Sequence, residues 1–129
     1  MEKSRIPTGD LMRTFDRYTQ AARNERPIFV RFKDGKLIKH ALTWLNESQI
    51  SMLFAWFLQE KKDMRPTIGA ALCKEVISDF IETSERRYGF YAELESLVRR
   101  LDGGPAKTLG ADSTMTDALK KLKNSFTMR

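Results

Sequence analysis

The chain has 129 residues, of which 41% are hydrophobic and 31% are charged, and its formal net charge is +6. These values are typical of one domain with a hydrophobic core, and they exclude a globally disordered chain. The excess of positive charge favours an anionic partner, with nucleic acid the first candidate. The single cysteine, Cys73, excludes an internal disulfide bond.

The cellular compartment is predicted from the same features. Residues 1–10 have no apolar core of the kind that marks a secretory signal peptide. The longest apolar stretch, residues 50–58, is too short to cross a bilayer as a helix. A lone cysteine suits a reducing compartment, so we expect a cytoplasmic protein with no membrane partner.

The first predicted element is a helix over about residues 8–23. Apolar residues recur there at helical spacing, at Leu11, Phe15, Tyr18 and Ala22.

A β-hairpin is predicted after this helix. The dipeptide Asp34-Gly35 favours a two-residue turn, because glycine tolerates the positive φ that a tight turn needs. The flanking residues favour two short antiparallel strands, over about 28–33 and 36–45. The segment is strongly basic, since it carries Arg31, Lys33, Lys36, Lys39 and His40 against one acid.

A second helix is predicted to begin at Asn46. Asn46 and Gln49 have the spacing of a capping box. The run that follows, ISMLFAWFL, is apolar on nearly every face, so this helix must be surrounded on all sides. Either the other helices of one chain wrap it, or a second copy of the chain covers its open face in a homodimer.

Two more helices complete the predicted domain, one starting near Pro66 and one over about 88–101. The predicted fold class is therefore mainly α with a short β-hairpin or ribbon, in a single helical domain over residues 1–102. A Gly-, Ser- and Thr-rich stretch at 103–114 is predicted to be a linker. Residues 115–129 are predicted to form a C-terminal amphipathic helix or tail.

No sequence motif for catalysis, metal binding or cofactor binding is present. The chain has no Gly-rich phosphate loop, no paired-cysteine motif and no nucleophile elbow. His40 is the one histidine, and Cys73 lies in an apolar helical stripe, where cysteine is ordinarily a small core residue. We therefore expect no catalytic residue, no metal and no cofactor, and a protein that is not an enzyme.

The segment from about residue 41 to 83 has the order strand, capped helix, turn and second helix. LTWLNESQISMLF carries the strand and first helix, and DMRPTIGAALCKEVISDFIE carries the turn and second helix. In this order it resembles the ribbon-helix-helix DNA-binding fold, the class of the Arc, MetJ and CopG repressors and of plasmid mobilisation accessory proteins. The resemblance implies a homodimer whose paired strands, here residues 39–45, enter the major groove of DNA. It also implies a phosphate clamp at Arg65, Thr67 and the N–H groups near them.

The first functional hypothesis is a non-enzymatic DNA-binding accessory or regulatory protein, either a repressor or a factor of an origin or relaxosome. Its predicted DNA contacts come from the basic hairpin, the ribbon and the clamp: Arg31, Lys33, Lys36, Lys39, His40, Thr43, Arg65 and Thr67. The alternative for the hairpin lysines is an ordinary soluble edge, since lysines also protect strand edges from aggregation.

The second hypothesis is a protein–protein interaction module, such as a small subunit or inhibitor of a larger nucleoprotein complex. In one strand register Leu42 and Trp44 point outwards, where a groove-reading strand carries polar side chains. The C-terminal helix either docks onto a larger protein or folds back on its own domain. The predicted partner contacts are Leu42, Trp44, Met115, Leu119, Leu122 and Phe126.

Overall fold

A computed structural model of the chain describes residues 8–30, 32–102 and 113–127, with the backbone alone at 102, 113, 114, 126 and 127. This part of the chain is mainly helical, as the sequence predicts. Its helices are α1 (Thr8–Arg23), α2 (Lys33–Leu42), α3 (Glu47–Glu60), α4 (Ile68–Ala71), α5 (Lys74–Arg86), α6 (Phe90–Asp102) and α7 (Ser113–Thr127). None of the helices over these residues is both long and apolar enough to cross a membrane.

Helix α3 lies at the centre of the fold. Both halves of the predicted capping box form: the Gln49 N–H donates to Asn46 Oδ1 at 2.8 Å, and the Asn46 N–H donates to Gln49 Oε1 at 2.9 Å. Ile50 and all residues of 52–58 are buried, because α1, α2, α4, α5 and α6 pack around them. One chain therefore covers the apolar run, and the argument for a homodimer from an open face of this helix does not hold.

Aromatic rings fix the helices around α3. Phe15 of α1 meets Phe54 of α3 edge to face, with ring centroids 4.9 Å apart. Phe80 of α5 makes two contacts of the same kind, at 5.2 Å to Trp56 and 5.1 Å to Phe90. Edge-to-face pairs contribute stability beyond the burial of their area, so these contacts set how α1, α5 and α6 lie on α3.

A buried arginine joins α1 to the end of α3. The side chain of Arg23 is 5% exposed, and burial lowers the pKa of this guanidinium while the Glu25 carboxylate opposes that effect. Carbonyls at a helix C-terminus have no partner within the helix. The Arg23 guanidinium donates hydrogen bonds to three carbonyls at and just after the end of α3, those of Leu58 at 3.0 Å, Lys61 at 2.6 Å and Met64 at 2.6 Å.

The predicted β-hairpin is wrong, because α2 occupies residues 33–42 and the described residues of 28–45 form no strand. Ile28 forms one isolated parallel bridge with Thr67, and its N–H donates to the Pro66 carbonyl at 2.9 Å. Helix α2 begins at Lys33. The residue with a positive φ at this turn is Phe32, at 69°, and Gly35 lies within the helix.

Asp34 lies in the first turn of α2, where the sequence predicts a β-turn between two strands. Its carboxylate accepts the N–H of Val30 at 2.7 Å, and its own N–H donates to the Val30 carbonyl at 3.0 Å. The residues after it have the helical period, since Ile38, Ala41 and Leu45 all reach the core. Burial of this apolar face outweighs the local turn preference of the Asp-Gly pair.

The resemblance to the ribbon-helix-helix fold is also wrong. That fold requires a β-ribbon, and residues 39–45, which would form it, lie in α2 and the turn that follows. The ranges described by the structure contain no strand. The capped helix that carried the resemblance is present as α3, but there it forms the centre of a helical bundle.

The helix predicted near Pro66 is divided into α4 and α5. The Thr67 hydroxyl caps α4 by accepting the Ala70 N–H at 3.0 Å. Cys73 then takes an extended conformation as the N-cap residue of α5. The sequence carries no glycine or proline at this break, and burial of Leu72 at 3% exposure shows that the apolar stripe continues across it.

The C-terminal helix folds back on its own domain, which was one of the two predicted alternatives. Helix α7 packs against α5. Met115, Leu119 and Leu122 are each 0% exposed. The predicted linker lies outside the described residues except at 113 and 114, which begin α7.

A chain of hydroxyl groups joins α7 to α5 and α6. Ser84 Oγ donates to the Ile81 carbonyl at 2.8 Å, so it accepts from Thr116 Oγ1 at 2.9 Å. Thr116 Oγ1 in turn accepts from Tyr91 Oη at 2.6 Å. Each hydroxyl has one hydrogen, so this direction uses all of them.

Candidate anion-binding face

Helix α2 separates apolar residues from cations on two opposite faces. Ile38 and Ala41 point into the core. The one acid of the helix, Asp34, points inwards with them at 1% exposure, where its carboxylate accepts the Val30 N–H. A carboxylate in the first turn also interacts favourably with the positive end of the helix dipole. The negative charge of the helix is therefore removed from its outer surface.

The outer surface of α2 carries only cations and neutral polar groups. At 100° per residue, the outer residues lie within an arc of roughly 120°. We call this surface the α2 face, and its exposed members are Lys33, Lys36, Lys39, His40 and Thr43. Within the described parts of the chain, none of the three lysines forms an ion pair. Three positive charges on this face are therefore available to an external anion.

Several cations elsewhere already have a carboxylate partner. Lys61 Nζ lies 2.6 Å from Asp79 Oδ2, and this hydrogen bond raises the pKa of Lys61. Lys120 pairs with Glu85 across the α5–α7 contact, and this hydrogen bond likewise raises the pKa of Lys120. A paired cation attracts an external phosphate less, so net charge alone does not identify a binding surface. The α2 face differs because its lysines lack such partners among the described residues.

A shallow groove borders the N-terminal end of the α2 face. Its volume is about 370 Å³. Lys33 of α2 and Lys74, the first residue of α5, both line it. We call it the α2–α4 groove, and its remaining lining residues are Leu37, Thr67, Gly69, Ala70, Leu72 and Cys73. Lys74 thereby extends the basic surface beyond α2.

At the C-terminal end, the α2 face meets α7. His40 Nε2 lies 2.9 Å from Ser125 Oγ, and Ser125 Oγ also donates to the Leu122 carbonyl at 2.6 Å. Lys121 is exposed and stands four residues before Ser125, so both lie on the same side of α7. The contact thus places a further lysine beside the α2 face.

The structure brings together only some of the residues predicted to contact DNA. Five of them lie together on the α2 face, on a helix and not on the predicted paired strands: Lys33, Lys36, Lys39, His40 and Thr43. Thr67 lines the same groove as Lys33, but its hydroxyl is engaged in capping α4. Arg65 is exposed in the loop before Thr67. Arg31 lies outside the described residues.

Three of the six predicted partner contacts are unavailable in this conformation. Met115, Leu119 and Leu122 are buried within the chain's own fold, and the side chain of Phe126 lies outside the described part. Leu42 is half-buried, and Trp44 is 38% exposed.

An exposed apolar segment was missed by the sequence prediction. Ile28, Phe29 and Val30 are 47%, 42% and 44% exposed, and Phe32 is 80% exposed. We call these four residues the apolar strip. None of the four is among the residues that the sequence predicts to contact a partner.

The comparisons add no relative to this description: no protein-family model matches the chain, and neither a curated protein nor a solved structure gives a match. Over the described residues, no group of three or more His, Cys, Asp and Glu side chains forms a candidate metal site.

Proposed function

We propose that this protein is a non-enzymatic DNA-binding accessory protein that contacts the phosphate backbone through the α2 face. The observation that supports this most directly is the charge separation on α2. Its three lysines point outwards without an ion-pair partner in the described ranges, and its one acid is buried. A surface of this kind attracts a polyanion by releasing the counterions condensed on it.

The length of the face suits a nucleic-acid duplex. Lys33 and His40 are seven residues apart on α2, which is about 10 Å along the helix axis. A duplex carries one negative charge per roughly 3.4 Å of its axis on each strand, so this length spans about three phosphates of one strand. Lys74 at one end and Lys121 at the other extend the basic surface beyond that length.

The chemistry of the face favours positioning over sequence reading. Lysine binds phosphate as a point charge, whereas base recognition depends on groups such as Arg, Asn and Gln that make two hydrogen bonds to one base edge. The two other members of the α2 face, His40 and Thr43, are the side chains there that could hydrogen-bond a base edge without a lysine charge. We therefore propose an accessory role, in which the protein binds duplexes of many sequences with similar affinity.

The test is a fluorescence-anisotropy titration of a labelled random-sequence duplex at about 0.1 M salt, where phosphate contacts still contribute strongly. The variant Lys33→Ala/Lys36→Ala/Lys39→Ala removes the three lysines of the face. Alanine is a strong helix former, so α2 is retained, and circular dichroism checks this. We expect the affinity to fall by about tenfold or more, because three phosphate contacts are lost.

The matched control is Lys62→Ala/Arg99→Ala/Arg100→Ala. These three cations are exposed and have no ion-pair partner among the described residues. They lie just after α3 and on α6, and their loss lowers the net charge by the same three units. If the proposal is correct, this control variant loses much less affinity for the duplex than the variant of the α2 face. Equal loss of affinity in the two variants, or no binding by the unmodified protein, would contradict it.

A further inference from the structure

The α2–α4 groove differs in character from the α2 face beside it. Leu37, Ala70 and Leu72 give it an apolar lining, and Gly69 contributes no side chain. Its two charged lining residues are Lys33 and Lys74, which come from two different helices, and no carboxylate lines it. A phosphate backbone would use the two lysines but would leave the apolar lining uncovered.

We infer that the α2–α4 groove binds a short acidic segment of a partner protein, with an apolar side chain in the groove and carboxylates beside Lys33 and Lys74. A volume of about 370 Å³ is near the lower end of the range for small-ligand pockets, which suits one or two side chains of a peptide. Charge complementarity favours an acidic occupant, because both charged residues of the lining are lysines and the rest of the lining is largely apolar.

The surface beside the groove supports a protein partner. Ile28 forms its backbone bridge with Thr67, a lining residue, so the apolar strip begins at the edge of the groove. Ile28 and Val30 are nearly half exposed, and contiguous exposed apolar residues commonly mark protein-interaction sites. A peptide in the groove can continue over this strip and cover it.

Gly69 provides a variant that fills the groove without disturbing the fold. A Cβ built on Gly69 has one neighbour outside its own helix turn, Leu37 Cδ1 at 3.8 Å, which is an ordinary contact. The methionine side chain of Gly69→Met would therefore fill the space in which the partner's apolar side chain is proposed to bind. Gly69→Ala adds a single methyl group and is the matched control.

Cys73 provides a reporter at the site. It is the only cysteine of the chain, it is partly exposed, and it lines the groove. A bound peptide must slow its alkylation by iodoacetamide, while a peptide bound elsewhere must leave that rate unchanged. No cysteine has to be introduced for this measurement.

The experiment uses the full chain and a defined set of labelled hexapeptides with two acidic residues on each side of a central apolar pair: Leu-Leu, Ile-Ile, Met-Met, Phe-Phe or Trp-Trp. Control peptides replace the central pair by Ala-Ala or the four acids by lysines. We expect at least one acidic apolar peptide to bind saturably and to slow Cys73 alkylation by fivefold or more. Both control peptides should bind at least tenfold more weakly.

The variants then separate this inference from DNA binding. Gly69→Met should weaken peptide binding by at least tenfold and leave the affinity for duplex DNA within about twofold, whereas Gly69→Ala should change neither strongly. The inference is overturned if no acidic apolar peptide binds, if the Ala-Ala control binds equally well, or if binding leaves Cys73 alkylation unchanged. None of these outcomes depends on whether the α2 face binds DNA.

Discussion

Replacing Gly35 by alanine distinguishes the helix α2 from the hairpin that the Asp-Gly pair predicts. In a two-residue hairpin turn this glycine has a positive φ, and alanine there destabilises the fold by about 1–2 kcal/mol. In α2 the residue is helical, and a Cβ added to it has no heavy atom within 4 Å. Alanine is then favoured over glycine because it loses less backbone entropy on folding.

The expected gain is about 0.5–1 kcal/mol in the free energy of unfolding, at the lower end if the first turn of the helix is frayed. Urea unfolding followed by circular dichroism measures it as a rise of roughly 0.3–0.7 M in the midpoint, for a typical slope of small domains. The slope itself should not change, because the surface exposed on unfolding is the same.

Alanine substitutions at two other glycines serve as controls, one at a helical position and one at a position with a positive φ. Gly9 lies in the first turn of α1, and a Cβ there is 3.9 Å from Arg13 Nη1, so Gly9→Ala should also stabilise the fold. Gly89 has a φ of +76°, so Gly89→Ala should destabilise it by about 1 kcal/mol. If Gly35→Ala behaves like Gly89→Ala, the helical assignment of α2 is refuted, and the arrangement of the α2 face with it.

Three further variants test the packing around α3 and α7, each by urea unfolding. Arg23→Met should lower the free energy of unfolding by about 2–4 kcal/mol, because three carbonyls lose a charged donor in a largely buried site. A loss below about 1 kcal/mol would mean that water replaces the guanidinium there. Asn46→Ala should cost about 1 kcal/mol through loss of the helix cap, and no change would contradict the capping box. Tyr91→Phe should cost about 0.5–1.5 kcal/mol, because it removes one hydrogen bond of the hydroxyl chain. Thr116→Val should cost more, because it removes two, and the reverse order would contradict the middle position of Thr116 in that chain.

The helical core was predictable because several independent signals agreed there. Asn46 and Gln49 predict the start of α3, and the run after them predicts a helix buried on all sides, which the structure confirms. Apolar spacing, followed by Pro27 as a helix-ending residue, predicted a helix over about residues 8–23, and α1 has the same bounds. In both segments, local preference and hydrophobic period favour the same structure.

The candidate site was predictable in its residues but not in its geometry. The cations from Lys33 to His40 were identified from composition, and the error lay in the period assigned to the residues between them. The Asp-Gly pair favours a turn, while Ile38, Ala41 and Leu45 have the spacing of a helix, and long-range burial decides between the two. Lys74 and Lys121 could not be assigned to the site from sequence, because tertiary packing brings them to the two ends of α2.

The most direct test of the proposed function is the salt dependence of duplex binding by the unmodified protein and by Lys33→Ala/Lys36→Ala/Lys39→Ala. Each phosphate contact contributes about −0.9 to the slope of log K against log salt concentration. If all three lysines contact phosphates, the slope of the variant is shallower by about 2.7, and that of Lys62→Ala/Arg99→Ala/Arg100→Ala is almost unchanged. Equal slopes for the protein and its α2 variant would show that the α2 face does not contact the phosphate backbone.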